Sequence, residues 1–244
     1  MRITTLSLIA LLFAISCETN DSNESENQNI PGNVDIESYR SDAVQLYYQE
    51  IIDNTNHPNY TEAEFDYDQI NEIFDLIKAV YELDVPQRDT VFLVHHIHAR
   101  YCNMTNVLGV NVQTDAPEIQ NLAAGVIPTG NEQLDGILEA YAFDSVDVYY
   151  GYPDFSWLSL YTSEAYNMIP VAEEFATVNS ILQATMYGGC IGDGNNITLE
   201  RNNDFATLTF SIGWGDCPAG CINHRYWEFR ITNGSAEFIQ AYEN

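Results

Sequence analysis

Between Val107 and Tyr187 the spacing of apolar residues changes repeatedly, and the order of those changes limits the folds open to this chain. Val107, Gly109, Val110 and Val112 predict a strand. Asn131 then caps a helix with Leu134, Ile137, Leu138 and Tyr141 at helical spacing. Val146–Tyr150 and Trp157–Tyr161 predict two further strands, and Val171, Ala172, Phe175 and Val178 form a second helix face. Ile181–Tyr187 predicts the last strand. The order is therefore β-α-β-β-α-β. In the tail, Ala206, Leu208, Phe210, Ile212 and Trp214 alternate with Thr207, Thr209 and Ser211, and Trp227, Phe229 and Ile231 alternate with Glu228 and Arg230. This period-two pattern marks antiparallel strands with one buried face.

Upstream, Ile36, Tyr39, Ala43, Leu46, Tyr47 and Ile51 predict a helix over residues 36–54. Ile70, Ile73, Phe74, Ile77, Val80 and Tyr81 predict a second, from Asp68 to Leu83. Val91–Ile97 is a compact apolar run that fits either a strand or a buried helix. The expected class is α+β: a helical N-terminal region over residues 35–101, then an α+β domain over 102–244. In that domain a split βαβ, ferredoxin-like sheet is extended by a C-terminal antiparallel hairpin. The strand order also resembles the propeptide-inhibitor domains of subtilisin-like proteases. That resemblance implies protease inhibition as one expectation, at the level of fold alone.

In the split βαβ order the first and fourth strands are antiparallel neighbours. Cys102 stands just before the first and Cys190 just after the fourth, so the topology predicts a bridge between them. Cys217 and Cys221 flank Pro218 and Gly220, which favour a tight turn, and are expected to pair with each other. The three-residue spacing and hairpin setting differ from a thioredoxin-type redox motif.

Arg2 is the only charge in the first sixteen residues, and Ile3–Ile15 is an almost unbroken apolar run. Residues 1–16 therefore read as a signal peptide, too short to span a bilayer. Phe13-Ala14-Ile15-Ser16-Cys17 resembles a bacterial lipoprotein box, which implies a lipid on the Cys17 thiol. Removing Cys17 from the five cysteines leaves an even four, as suits an exported chain. Residues 17–34 are polar, acidic and free of aromatics, and read as a disordered tether. The run Glu18–Glu26 resembles the export tags of surface lipoproteins in the Bacteroidota. Gly213-Trp214-Gly215-Asp216-Cys217-Pro218-Ala219-Gly220-Cys221, ahead of Tyr226-Trp227, resembles a GWGDCP-x-GC hairpin of an uncharacterised family of exported bacterial proteins. Together these imply an exported protein, lipid-anchored to the outer membrane, with the cell surface as the further expectation.

The formal charge of −28, from 36 acidic against 8 basic residues, excludes nucleic acid and electrostatic docking to anionic lipid. Membrane contact is expected through the lipid anchor only. The charge favours cations or a basic partner, either a protein or a small ligand that no motif specifies. His95, His96 and His98 are the only histidine cluster. Two of them share a face in a strand (His96, His98) or a helix (His95, His98), so zinc or copper is the cofactor to consider, and a metal-dependent enzyme the alternative function. No four-ligand zinc motif and no G-x-S-x-G is present. Gly192-Asp193-Gly194-Asn195-Asn196 reads as a turn, without the ligand periodicity of an EF-hand. The leading expectation is a non-enzymatic binding module with no cofactor.

We predict that mass spectrometry finds diacylglycerol on Cys17. Cys17→Ser should release the protein from membranes; full release of the unaltered chain into the medium would sink the lipoprotein reading.

Overall fold

The computed structural model describes residues 34–152, 155–190 and 192–244, so the leader, Cys17 and the tether over residues 18–33 lie outside it. The Asp35 carboxylate accepts the Glu37 N–H and opens a 3₁₀ turn, Ile36–Tyr39, that runs into α1, Arg40–Asp53. Asp66 caps α2, Tyr67–Tyr81, by accepting from the N–H groups of Asp68 and Gln69. The first four residues of the run at Val91–Ile97 resolve as helical, and His95–Ile97 leave the helix. Pro86 starts α3, Pro86–Asp89, and the chain continues into a π-helical turn, Thr90–Val94, with Val91, Phe92 and Leu93 buried.

A first sheet follows. Its strands are β1 (Asn103–Gln113), β2 (Phe143–Tyr152), β3 (Phe155–Thr162) and β4 (Ile181–Gly188), in the order β2-β3-β1-β4 and antiparallel throughout. This is the ferredoxin-like order. Two helices, α4 (Pro117–Ala123) and α5 (Glu132–Ala140), connect β1 to β2; α6 (Met168–Phe175) connects β3 to β4. Asn131 caps α5, as its sequence position suggested, while α4 carried no apolar signal strong enough to single it out. Leu108, Val110, Val112, Leu158 and Leu160 point to the helix side, where they form one core with Leu122, Leu134, Leu138, Val171 and Phe175.

The tail makes a sheet of its own. Strands β5 (Asn196–Arg201), β6 (Ala206–Trp214), β7 (Asn223–Thr232) and β8 (Ser235–Glu243) pair in sequence order, so the expected hairpin belongs to a separate antiparallel sheet. Its inner face presents Leu208, Phe210, Trp227, Phe229 and Ile231 to α1, α2 and Phe92. The N-terminal helices and the tail sheet thus share one core, and the boundary expected after residue 101 does not separate two cores. The ferredoxin-like unit is instead inserted between the two halves of a helix-on-sheet body.

Polar contacts fix the insert to that body. Asn167 is fully buried; its side-chain amide donates to the carbonyls of Asn59, Tyr60 and Glu62 at 3.2, 2.9 and 3.1 Å, while its oxygen caps α6. The Tyr48 hydroxyl, on α1, accepts the Met168 N–H at 3.1 Å. Burial pushes this phenol up to about 12.

At the neck of the insert, Cys102 and Cys190 are bonded with Cα atoms 4.9 Å apart, and the Gly189 N–H donates to the Cys102 carbonyl at 2.6 Å. Cys217 and Cys221 are bonded across the β6–β7 connection, four residues apart in sequence. The Cys102–Cys190 bridge closes a loop of 88 residues, worth about 4 kcal/mol in the chain-entropy account. A Cys102→Ala/Cys190→Ala variant is expected to lose stability of about that size in urea unfolding. A change below about 1 kcal/mol would show that the β1–β4 pairing holds the neck without the bridge.

Candidate functional site

The helix-free face of the first sheet carries a trough. Register places four short side chains in one row across the strands: Asp147 on β2 faces Ser159 on β3, Ser159 faces Gly109 on β1, and Gly109 faces Thr185 on β4. The row on one side holds Tyr149 opposite Trp157, and Trp157 opposite Asn111. On the other side stand Tyr161, opposite Val107, and Tyr187, two residues beyond Thr185. Rows two residues apart on one face are about 7 Å apart, so the short row is a floor between aromatic walls. The resulting cavity measures about 380 Å³ and is lined by Gly109, Tyr149, Trp157, Ser159, Thr185 and Tyr187, among others.

Gly109 leaves the floor open. A Cβ there would meet the Thr185 carbonyl oxygen at 3.6 Å and Thr185 Cγ2 and Tyr187 Cδ2 at 3.7 Å, ordinary contact distances, so the position admits a side chain that would occupy the trough. Tyr149 and Tyr187 remain 53% and 49% exposed. Aromatic rings normally contribute their large apolar area to a core or an interface; rings left half-open around a cavity are the usual anatomy of a ligand site.

The electrostatics are one-sided. From Asn103 to Gly188 the chain has 11 Asp and Glu and no Lys, Arg or His. Its carboxylates are met by neutral donors: Asp135 accepts from Thr129 Oγ1 at 2.6 Å, Glu174 from the Tyr141 hydroxyl at 2.6 Å and Asp147 from the Tyr161 hydroxyl at 2.9 Å. That last bond, aided by partial burial and the Asp147 charge, holds the Tyr161 phenol above its ordinary range. Within Asn103–Gly188 no side-chain cation offsets these carboxylates, which disfavours phosphate and carboxylate ligands.

The three histidines do not converge. His98 Nδ1 lies 2.8 Å from the buried Asp42 carboxylate. Burial raises the Asp42 carboxyl, against the pull of His98 and the Ala99 N–H. His95 sits 5.6 Å from the Trp227 ring, and His96 is exposed with φ of 45°. Among the described residues the one cluster of three potential ligand atoms is Asp193, Cys221 and His224, so His95, His96 and His98 do not form the metal site considered from sequence. The backbone turn after Val94 sends the three rings to different neighbours. In the Asp193 cluster, Cys221 is bonded to Cys217, which takes its sulfur out of thiolate chemistry. What remains is an Asp193–His224 contact of 2.6 Å with Arg100 at 3.5 Å. The Gly194 N–H, then His224 and Arg100, hold the Asp193 carboxyl below its usual range.

A second cavity, about 800 Å³, lies between α1 and the edge strand β5. Its two arginines are paired: Arg201 Nε donates to Glu50 at 2.8 Å, and Arg100 turns to Asp193. It has no aromatic wall. Among the described residues no helix is long and apolar enough to cross a membrane. No protein-family model, curated protein or solved structure matches the chain. The trough was missed from sequence because its members come from four strands. The one sequence signal that bears on it is the absence of any Lys, Arg or His from Tyr101 to Glu200.

His95 yields a pH prediction. Burial, then the Arg225 charge, lowers its pKa below the usual 6.5. Folding therefore favours the neutral ring; its contribution is complete above 6.5 and is lost as the pH falls through the lower folded value. Urea unfolding between pH 7.5 and 5 should show less loss of stability on acidification in His95→Gln than in the unaltered protein. Equal slopes would remove His95 from the account.

Proposed function

We propose that the protein is an exported, lipid-anchored binding module, without chemistry of its own, that takes a small ligand or a ligand group in the trough on its first sheet. The observation that carries this reading is the pair of half-exposed rings, Tyr149 and Tyr187, standing over a floor of Ser159, Gly109 and Thr185. Two half-open aromatic walls around an unfilled row leave apolar area uncovered that an unliganded surface has no reason to keep. Both disulfides are compatible with the oxidising compartment that export implies. The lipoprotein box at Cys17 supplies the anchor in this reading, and the acidic segment after it the spacer.

The reading is tested by NMR of the mature chain against a fragment library of organic cations, neutral sugars and carboxylates. Hits should move the Trp157 indole signal and be lost in Gly109→Leu, which fills the floor. Tyr149→Ala/Tyr187→Ala should also lose the hits, with stability within about 1 kcal/mol of the unaltered protein, since these are exposed positions. Hits that map to the α1–β5 cavity, and survive both variants, would overturn the proposal.

A further inference from the structure

The chemistry of the trough selects among possible ligands. Its walls are aromatic rings, and the face of such a ring carries the negative end of a quadrupole. Trp157 on β3 lies between Tyr149 on β2 and Asn111 on β1, in the row beside Gly109, and Tyr187 stands across the floor on β4. Asp147 closes the floor row at the β2 edge, with one carboxylate oxygen bonded to Tyr161. Asp147 is the acid that the register places in this floor row, and the segment Asn103–Gly188 that builds the sheet contains no Lys, Arg or His. Stacking aromatics on a four-stranded sheet also serve single-stranded RNA, but only where basic groups take the phosphates; here that role is unfilled. A carboxylate or phosphate ligand is disfavoured for the same reason.

A primary ammonium is a compact, strongly hydrated charge that needs several acceptors when it leaves water. Ser159 is buried and Asp147 is already shared, so the floor offers few. A methylated ammonium needs none. Its charge is spread over methyl groups, and aromatic faces with a nearby carboxylate are the environment that holds it. Resting on the reading of the trough as the binding site, we propose that its ligand group is a quaternary or methylated ammonium, held over Gly109 between Tyr149, Trp157 and Tyr187, with Asp147 as counter-charge.

The test compares two probes of the same shape: choline and 3,3-dimethyl-1-butanol, in which carbon replaces the charged nitrogen. Both are titrated into the mature protein by NMR, with Trp157 as reporter, at low and high salt. Choline is expected to bind at least about tenfold more tightly than the neutral probe, the gain that cation–π contact gives at a partly desolvated site. Its affinity should fall with salt and fall severalfold in Asp147→Asn. It should vanish in Tyr149→Ala/Tyr187→Ala, while trimethylated lysine competes and lysine competes poorly. Equal binding of the two probes at Trp157 overturns the ammonium assignment and leaves the trough standing as a site. If neither probe moves Trp157 but a sugar does, the assignment fails and the trough again survives. If no compound of any class perturbs a trough residue, both readings fall.

Discussion

The antiparallel pairing of β1 with β4, closed at one end by Cys102–Cys190, is the constraint on which the rest of the molecule depends. The chain leaves its helix-on-sheet body at Cys102 and returns at Cys190, so the entire ferredoxin-like unit hangs from these two points. The Arg100 N–H donates to the Asn196 side chain at 2.8 Å, which ties the segment leading into β1 to the start of β5. An insert whose two ends meet side by side leaves its host undisturbed. That is why α1 and α2 find their β partners on the far side of the insert in sequence and yet share one core with them.

A single choice of register produces both the core of the insert and its trough. Leu108, Val110, Leu158 and Leu160 must face α4, α5 and α6, because only those helices cover apolar surface there. Once they do, the intervening Gly109, Ser159 and Thr185 face the other way. A slip of one residue would turn every side chain over and put the leucines into water. The energy that fixes the floor of the site is therefore hydrophobic burial on the opposite face of the sheet, and the floor residues themselves contribute little to it.

Much of the architecture was legible because it is carried by local periodicity. The spacing of Ile70, Ile73, Phe74 and Ile77 announces α2, and the alternation from Ala206 to Trp214 announces β6. The same reasoning predicts the Cys102–Cys190 bridge, since strand order alone brings those residues together. Elsewhere periodicity fails. Val91–Val94 is four consecutive apolar residues, so no period distinguishes strand from helix, and a π-helical turn resolves it. β5 is short and follows a Gly/Asn-rich turn, and β8 is mostly exposed, so neither shows a strong apolar alternation. The trough depends on pairing between residues as far apart as Gly109 and Thr185, which local patterning does not encode. The histidine cluster illustrates the converse: His95, His96 and His98 are adjacent in sequence, and backbone geometry sends each to a different neighbour.

The cation-free span has a consequence unrelated to ligands. Enzymes that cut after Lys or Arg find nothing to cleave between Arg100 and Arg201. Arg100 is engaged by Gly192 and Asp193, and Arg201 by Glu50, so the side chains at even the two flanking sites are already bonded. In the exported setting proposed above, the protein meets such proteases. If one of them nicks the host body elsewhere, the insert persists as an uncut piece with its ends still joined by a covalent bond. Its composition thus gives the aromatic face a durability against tryptic attack that does not depend on how stably the rest of the molecule is folded.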